Sequence, residues 1–111
     1  MAADFRLKQE DEANLLAEHF KLLGDKSRLL MIASLKEREL CVCDLVELVG
    51  LSQPGVSQHL RKLKAGGVVR ETKRGTWVYY ALNVDDKPHL QAVLDHLPSM
   101  KEQVQALKNN C

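Results

Sequence analysis

The chain has 111 residues, a length that fits one domain with a modest hydrophobic core. Its net charge is only +1, and 45% hydrophobic with 28% charged residues is typical of a soluble globular protein. No stretch is long and apolar enough for a membrane span or a signal peptide, and three cysteines without a spaced framework favour a reducing compartment. We therefore expect a single cytoplasmic domain over residues 1–111.

Two helices are predicted in the first third of the chain. The first begins near Asp11, after a polar segment expected to fray, and ends at Gly24. Asp25 is a good N-cap for the second helix. Apolar residues recur on one face of each helix at spacings of three and four, which predicts that they are buried. They are Leu16, Phe20 and Leu23 in the first helix and Leu29, Ile32 and Leu35 in the second.

Residues 40–66 have the pattern of a helix-turn-helix. The third predicted helix, Leu40–Val49, is followed by Gly50, which accepts the left-handed conformation of a helix end. Ser52 is a good N-cap for the fourth helix, which the glycines at 66 and 67 end. Apolar side chains anchor both helices: Leu45, Leu48 and Val49 in the third, and Val56, Leu60 and Leu63 in the fourth.

The other face of the fourth helix suits the major groove of DNA, where polar side chains pair with base edges. Residues 52–76 also contain six Lys or Arg and one Glu, although the whole chain is only +1, and this polarity indicates a polyanionic partner. An ordinary amphipathic surface helix is the alternative. The outward residues are Gln53, Ser57, Gln58, Arg61 and Lys62, with His59 at the edge of the buried face.

A β-hairpin is predicted over residues 68–82. Residues 68–72 and 76–82 are rich in β-branched and aromatic side chains, and residues 73–75 form a basic, glycine-containing tip. A helix-turn-helix followed by such a hairpin is a winged helix, whose tip would contact the phosphate backbone or minor groove. A solvated basic turn is the alternative. Three aromatic residues are expected to pack the hairpin onto the helices: Trp77, Tyr79 and Tyr80.

A long final helix is predicted over residues 88–109. Its apolar residues are spaced 3, 4, 3, 4, 3, a seam of heptad type. Pro98 interrupts the pattern, which predicts a kink or a break with a restart. A long apolar stripe on a small domain is best buried against a second copy, so we expect a homodimer through the first helix (residues 11–24) and the last. The seam consists of Leu90, Val93, Leu97, Met100, Val104 and Leu107.

Cys41 and Cys43 lie at the start of the predicted third helix. Thiolates select soft, thiophilic ions, and a helix N-terminus stabilises the thiolate form. Residues i and i+2 of a regular helix point about 200° apart, so both sulfurs reach one ion only if the first turn distorts. That distortion would be the switch. The alternative is that one or both cysteines are small core residues.

The segment Glu39-Leu-Cys-Val-Cys-Asp-Leu resembles the metal-binding box of the ArsR/SmtB family of metalloregulatory repressors, especially its arsenic- and cadmium-responsive members. Residues 23–29, 52–60 and 74–82 resemble the same family, and the resemblance runs from about residue 15 to residue 83. It implies an α+β, mainly helical winged helix-turn-helix with a two-stranded wing. The implied function is that of a homodimeric transcriptional repressor, which leaves double-stranded operator DNA when its inducer binds.

The resemblance also implies roles for individual residues. Cys41 and Cys43 would be the metal ligands that hold the inducer. The implied DNA contacts lie on the recognition helix and at the wing: Ser52, Gln53, Ser57, Gln58, His59, Arg61, Lys73, Arg74 and Thr76.

This chain departs from the family pattern in its ligands. The arsenic box has a third cysteine where Val46 stands, and cadmium and lead sensors use cysteines that residues 1–40 lack. Cys111 is the remaining thiol and the candidate third ligand. Because trivalent arsenic can bind two sulfurs with an exogenous third ligand, arsenite or antimonite is the expected inducer, with no permanent cofactor.

Several alternatives stay open. Zinc-sensing relatives use a carboxylate and histidines on the last helix, and Asp86, His89 and His96 stand there at a different spacing. A cadmium-, lead- or zinc-responsive repressor, a thiol redox sensor without metal, and a pure protein–protein module are the competing interpretations. An enzyme is not expected, because the sequence has no nucleophile–base pair, paired carboxylates in a plausible cleft, or phosphate loop.

Overall fold

The computed structural model describes the backbone of residues 2–108 and the side chains of residues 8–108. Within this range the helices are α1 (Ala2–Leu23), α2 (Lys26–Glu37), α3 (Val42–Val49), α4 (Gln53–Ala65), α5 (Pro88–Leu94) and α6 (Lys101–Gln105). The strands are β1 (Leu40–Cys41), β2 (Val69–Arg74) and β3 (Trp77–Leu82). None of the helices described is long and apolar enough to cross a membrane.

Local capping fixes the helix-turn-helix formed by α3 and α4. Gly50 ends α3 at φ +70°, a left-handed conformation that glycine adopts without a steric penalty. Ser52 then begins α4, where its hydroxyl accepts a hydrogen bond from the Gly55 N–H at 3.3 Å. The buried face of α4 consists of Val56, Leu60 and Leu63, as its spacing predicted. The helix-turn-helix prediction is therefore confirmed, except that Leu40 and Cys41 are extended.

The wing belongs to a three-stranded antiparallel sheet in the order β1-β3-β2, one strand more than the sequence predicted. Leu40 pairs with Tyr80, and Cys41 pairs with Tyr79. Strand β2 continues through Arg74, which pairs with Trp77, so the tip narrows to two residues. Gly75 takes φ +62° there, a conformation that favours glycine. The start of the Glu39–Leu45 segment is thus part of the same sheet as the wing.

The core lies between α2, the helix-turn-helix and the inner side of the sheet. Its fully buried side chains come from every one of these elements, which joins them into one unit. The largest are Met31, Ile32, Leu40, Leu45, Val56, Leu60, Leu63 and Val68.

Helix α1 differs from its prediction in two respects. It begins at Ala2 instead of near Asp11, because residues 2–10 include no Gly or Pro and contain good helix formers. Leu23 is buried, whereas Leu16 and Phe20 are 38% and 49% exposed. Leu15 lies beside them and is 53% exposed, so α1 presents an apolar face to solvent.

The C-terminal region contains two short helices, so the break with a restart, one of the two predicted outcomes, is confirmed. Helix α5 ends at Leu94, four residues before Pro98, because the proline ring would clash with that carbonyl in a continuing helix. The Leu94 carbonyl instead accepts a hydrogen bond from the Lys36 ammonium at 3.1 Å. Three of the six residues predicted to form a seam against a second copy are instead buried in the protomer's own core: Leu90, Met100 and Val104.

Candidate nucleic-acid interface and thiol site

The outer face of α4 presents polar and basic side chains opposite its buried face. Gln53, Gln58 and Arg61 are exposed, and Ser57 is half-buried beside them. The glutamine amides can donate to and accept from base edges and the arginine guanidinium can donate to them, as a recognition helix requires. The Ser52 hydroxyl is exposed but already caps the helix, so its first role is structural.

His59, which was predicted to contact DNA, is directed toward α2. Its Nδ1 lies 3.1 Å from an Arg28 NH1 group, and the arginine side chain only donates, so Nδ1 is the acceptor. The Arg28 Nε also donates to the Leu22 carbonyl at 2.6 Å. His59 thus anchors the recognition helix to the end of α1 through Arg28. No sequence pattern predicts this contact, because the two side chains are 31 residues apart.

The tip of the wing is exposed, with Lys73, Arg74 and Thr76 all facing solvent. Arg74 donates to the Glu39 carboxylate at 2.7 Å, and its guanidinium lies 5.1 Å from the centre of the Tyr79 ring. Trp77 is 45% exposed, so the prediction that it packs the hairpin onto the helices is wrong.

Glu71 of β2 contacts both the other strand of the wing and the end of the recognition helix. The Tyr80 hydroxyl of β3 donates to the Glu71 carboxylate at 2.7 Å, and the Lys64 ammonium at the end of α4 lies 3.5 Å from the same carboxylate. The hydrogen bond from Tyr80 and the nearby Lys64 charge lower the pKa of Glu71. Burial, together with the Glu71 carboxylate, raises the pKa of Tyr80 to about 12. Glu71 thus joins the two strands of the wing by a hydrogen bond and meets the end of α4 through a partly exposed ion pair.

Cys41 is a buried thiol at the junction of β1 and α3. It is 8% exposed, and its Sγ donates to the Asp44 carboxylate at 3.2 Å. The Cys41 N–H also donates to Asp44 at 3.3 Å, which closes the first turn of α3. Burial raises the pKa of the Cys41 thiol, so the expectation that the helix end favours its thiolate is wrong for this residue.

Cys43 lies inside the first turn of α3 and is exposed, so the two sulfurs occupy different environments. Cys41 is extended, at φ −88° and ψ 171°, and the 200° separation expected for two helical residues does not apply. Two soft donors within three residues at a junction of strand and helix fit a thiophilic ion. In the part of the chain described here, no three His, Cys, Asp or Glu side chains are grouped closely enough to hold a metal. The candidate third ligand, Cys111, lies outside the described residues.

A second histidine contact joins α1, α4 and α5. His19 is 2% exposed, and its Nε2 donates to the Gly66 carbonyl at 2.9 Å. Its Nδ1 therefore accepts from the His89 Nε2 at 2.7 Å. Burial and then the His19 ring lower the pKa of His89. His89 thus faces α1, whereas His96 is exposed and Asp86 pairs with Lys87 at 2.9 Å.

A recognition helix with a polar outer face, held beside a wing with an exposed basic tip, defines a winged-helix DNA-binding protein. Residues 25–71 match the model of a bacterial regulatory protein, arsR family. The chain is 39% identical over 97 residues to the arsenical resistance operon repressor of Escherichia coli (strain K12), covering 82% of this chain and 80% of that protein. The chain belongs to the arsR family: it is a DNA-binding transcriptional repressor and not an enzyme.

Two further comparisons show the range of the family. The cadmium resistance transcriptional regulatory protein CadC of Listeria innocua is 45% identical over 62 residues, or 55% of this chain and 52% of that protein. The crystal structure of NolR from Sinorhizobium fredii has a TM-score of 0.70 and 31% identity, covering 80% of this chain and 89% of that one. The first names a regulator of cadmium resistance, and the second carries the same fold.

Proposed function

We propose that this repressor acts in the cytoplasm as a homodimer and leaves its operator when trivalent arsenic or antimony binds Cys41 and Cys43. The position of Cys41 carries the proposal. Its backbone pairs with Tyr79 of the wing, and its N–H and thiol both contact Asp44 in the first turn of α3. A change at this one residue therefore reaches the wing directly, and it reaches the recognition helix through α3, whose Leu45 lies in the same core as the buried face of α4.

The contacts proposed with the operator divide between the two elements. Side chains of α4 read base edges in the major groove, whereas the wing contacts phosphates. The proposed set consists of Ser52, Gln53, Ser57, Gln58, Arg61, Lys73, Arg74 and Thr76. His59, which the family resemblance also implies, contacts Arg28 and would position the helix instead.

Binding of the inducer requires the Cys41 thiol to lose its proton. The buried Cys41 thiol has a raised pKa, and the sulfur binds a soft ion as thiolate, so inducer binding releases this proton. Moving the Cys41 sulfur toward Cys43 also breaks its contact with Asp44. A coupling of about 1–3 kcal/mol between the two sites would release DNA roughly 5- to 150-fold.

The experiment is a titration of the protein bound to its own upstream DNA with arsenite, antimonite, cadmium and zinc. It is read by fluorescence anisotropy under strong reductant. Release by arsenite or antimonite at the lowest concentration supports the proposal, and release by cadmium or zinc first would assign another inducer of the same family. Release that occurs only on oxidation would favour a redox sensor. Absence of any DNA complex would contradict the operator-binding role.

A further inference from the structure

The wing arginine is folded back along the sheet. Strand β3 lies between β1 and β2, yet Arg74 of β2 crosses over the Tyr79 ring to reach Glu39, the residue just before β1. Its guanidinium therefore lies over the ring of a residue in the central strand, within hydrogen-bond distance of Glu39. Arg74, which the family resemblance implies as a phosphate contact, is therefore already paired with the Glu39 carboxylate at 2.7 Å.

This ion pair is exposed enough to exchange partners. The side chains of Arg74 and Glu39 are 61% and 27% exposed. Water and salt screen such a pair, so it adds little to stability and breaks readily when another anion is present. A phosphate and a carboxylate use the same N–H edges of a guanidinium, because both offer two oxygens at similar spacing.

We propose that Glu39 competes with a DNA phosphate for Arg74 and so limits the affinity of the wing for DNA. This inference rests on the proposed function. Glu39 is a positioning residue, since it acts through Arg74 and does not itself bind DNA. When the duplex binds, Arg74 leaves Glu39 for a phosphate, or the carboxylate stays beside the phosphate and repels it. Both outcomes weaken binding.

The test is Glu39→Gln, which keeps the size of the side chain and removes its charge. Affinity for an operator duplex and for a random duplex is measured by anisotropy over a series of salt concentrations. We expect binding to both duplexes to tighten about two- to fivefold, the range for an exposed ion pair. The slope of log affinity against log salt should steepen by up to about one unit per subunit, because another phosphate is neutralised.

Two variants separate this effect from a general change in charge. Asp86→Asn also removes one carboxylate from an exposed ion pair, but that pair, with Lys87, precedes α5. It should leave the salt slope unchanged. In an Arg74→Ala background, Glu39→Gln should have no effect on DNA binding, since the residue through which it acts is absent. Circular dichroism verifies that each variant is folded.

Several results would overturn the inference. Glu39→Gln could bind DNA as the parent does, or more weakly, which would mean that the pair organises the wing for binding. An equal gain in Asp86→Asn, or a gain that persists without Arg74, would attribute the effect to charge alone. If the parent itself fails to bind its upstream duplex, the proposed function fails, and that result is distinct from a bound parent with an unchanged Glu39→Gln variant.

Discussion

Cys41 and Cys43 are two residues apart, and the fold gives them unequal surroundings. The first is buried against Asp44, and the second is exposed on α3. We expect Cys41→Ser and Cys43→Ser each to bind operator DNA but to lose release by arsenite. Serine keeps the size of the side chain and loses the soft donor. In Cys41→Ser the hydroxyl can still donate to Asp44, so the first turn of α3 should persist.

The measurement is arsenite-induced release, with the parent and Cys111→Ser beside the two variants. Normal release of DNA by arsenite in either Cys41→Ser or Cys43→Ser would show that these two cysteines are not the sensing site. Cys111→Ser is expected to respond normally, and loss of its response would make that cysteine the third ligand.

The Tyr80–Glu71 hydrogen bond makes a pH-dependent contribution to stability. Because the folded state lowers the pKa of Glu71, this contribution is present above its usual pKa of 4.5 and is lost as the pH falls through the folded value. We expect Tyr80→Phe to lower the free energy of unfolding by about 1 kcal/mol at pH 7 and by less at pH 3. Urea unfolding at both pH values measures the difference.

Tyr79→Phe is the matched control, because Tyr79 neighbours Tyr80 on the same strand and keeps its ring beneath Arg74 after the change. An equal loss in Tyr80→Phe at both pH values would mean that packing, and not the Glu71 carboxylate, accounts for the effect.

The helix-turn-helix was predictable from the sequence, because its helix ends depend on the residues at those ends and not on distant contacts. Ser52 and Gly50 define the ends of the turn through their own conformations, and the spacing of the apolar residues of α4 gave its buried face. Strand β1 was missed, because two residues show no periodicity and become a strand only when β3 offers an edge. The Arg28–His59 and Glu39–Arg74 contacts were missed for a related reason: they join residues far apart in sequence.

The wing and the recognition helix should differ in how they contribute to DNA binding. We expect Lys73→Ala to weaken binding to operator and random DNA alike and to flatten the salt slope by about one unit per subunit. Gln58→Ala should instead cost about 1–3 kcal/mol on the operator and little on random DNA. Anisotropy on both duplexes tests this division. A Lys73→Ala variant with an unchanged slope would exclude a phosphate contact at that residue.

At the scale of the whole molecule, the exposed apolar face of α1 is the surface on which the expected homodimer depends. Leu15, Leu16 and Phe20 lie on it, whereas half of the predicted C-terminal seam is buried within the protomer. We expect Leu16→Asp to weaken dimerisation, because the interface would bury an unpaired charge. Operator affinity should fall with it, since two linked recognition helices bind half-sites about 34 Å apart.

Sedimentation at nanomolar concentration measures the dimer, and circular dichroism verifies the fold. Met100→Asp is the contrasting variant: its side chain is in the core, so the change should unfold the protomer instead of separating two folded ones. If Leu16→Asp remained a dimer with unchanged operator affinity, α1 would not be the interface.

The sheet order β1-β3-β2 leaves β2 at an outer edge. An edge strand offers its backbone groups to any other strand, and proteins often counter the resulting aggregation with charged side chains along that edge. Besides Arg74, which is folded back over β3, two of the six residues of β2 are cations: Arg70 and Lys73. The same charges that favour a polyanion therefore also discourage strand-to-strand association between repressor molecules that have left the DNA.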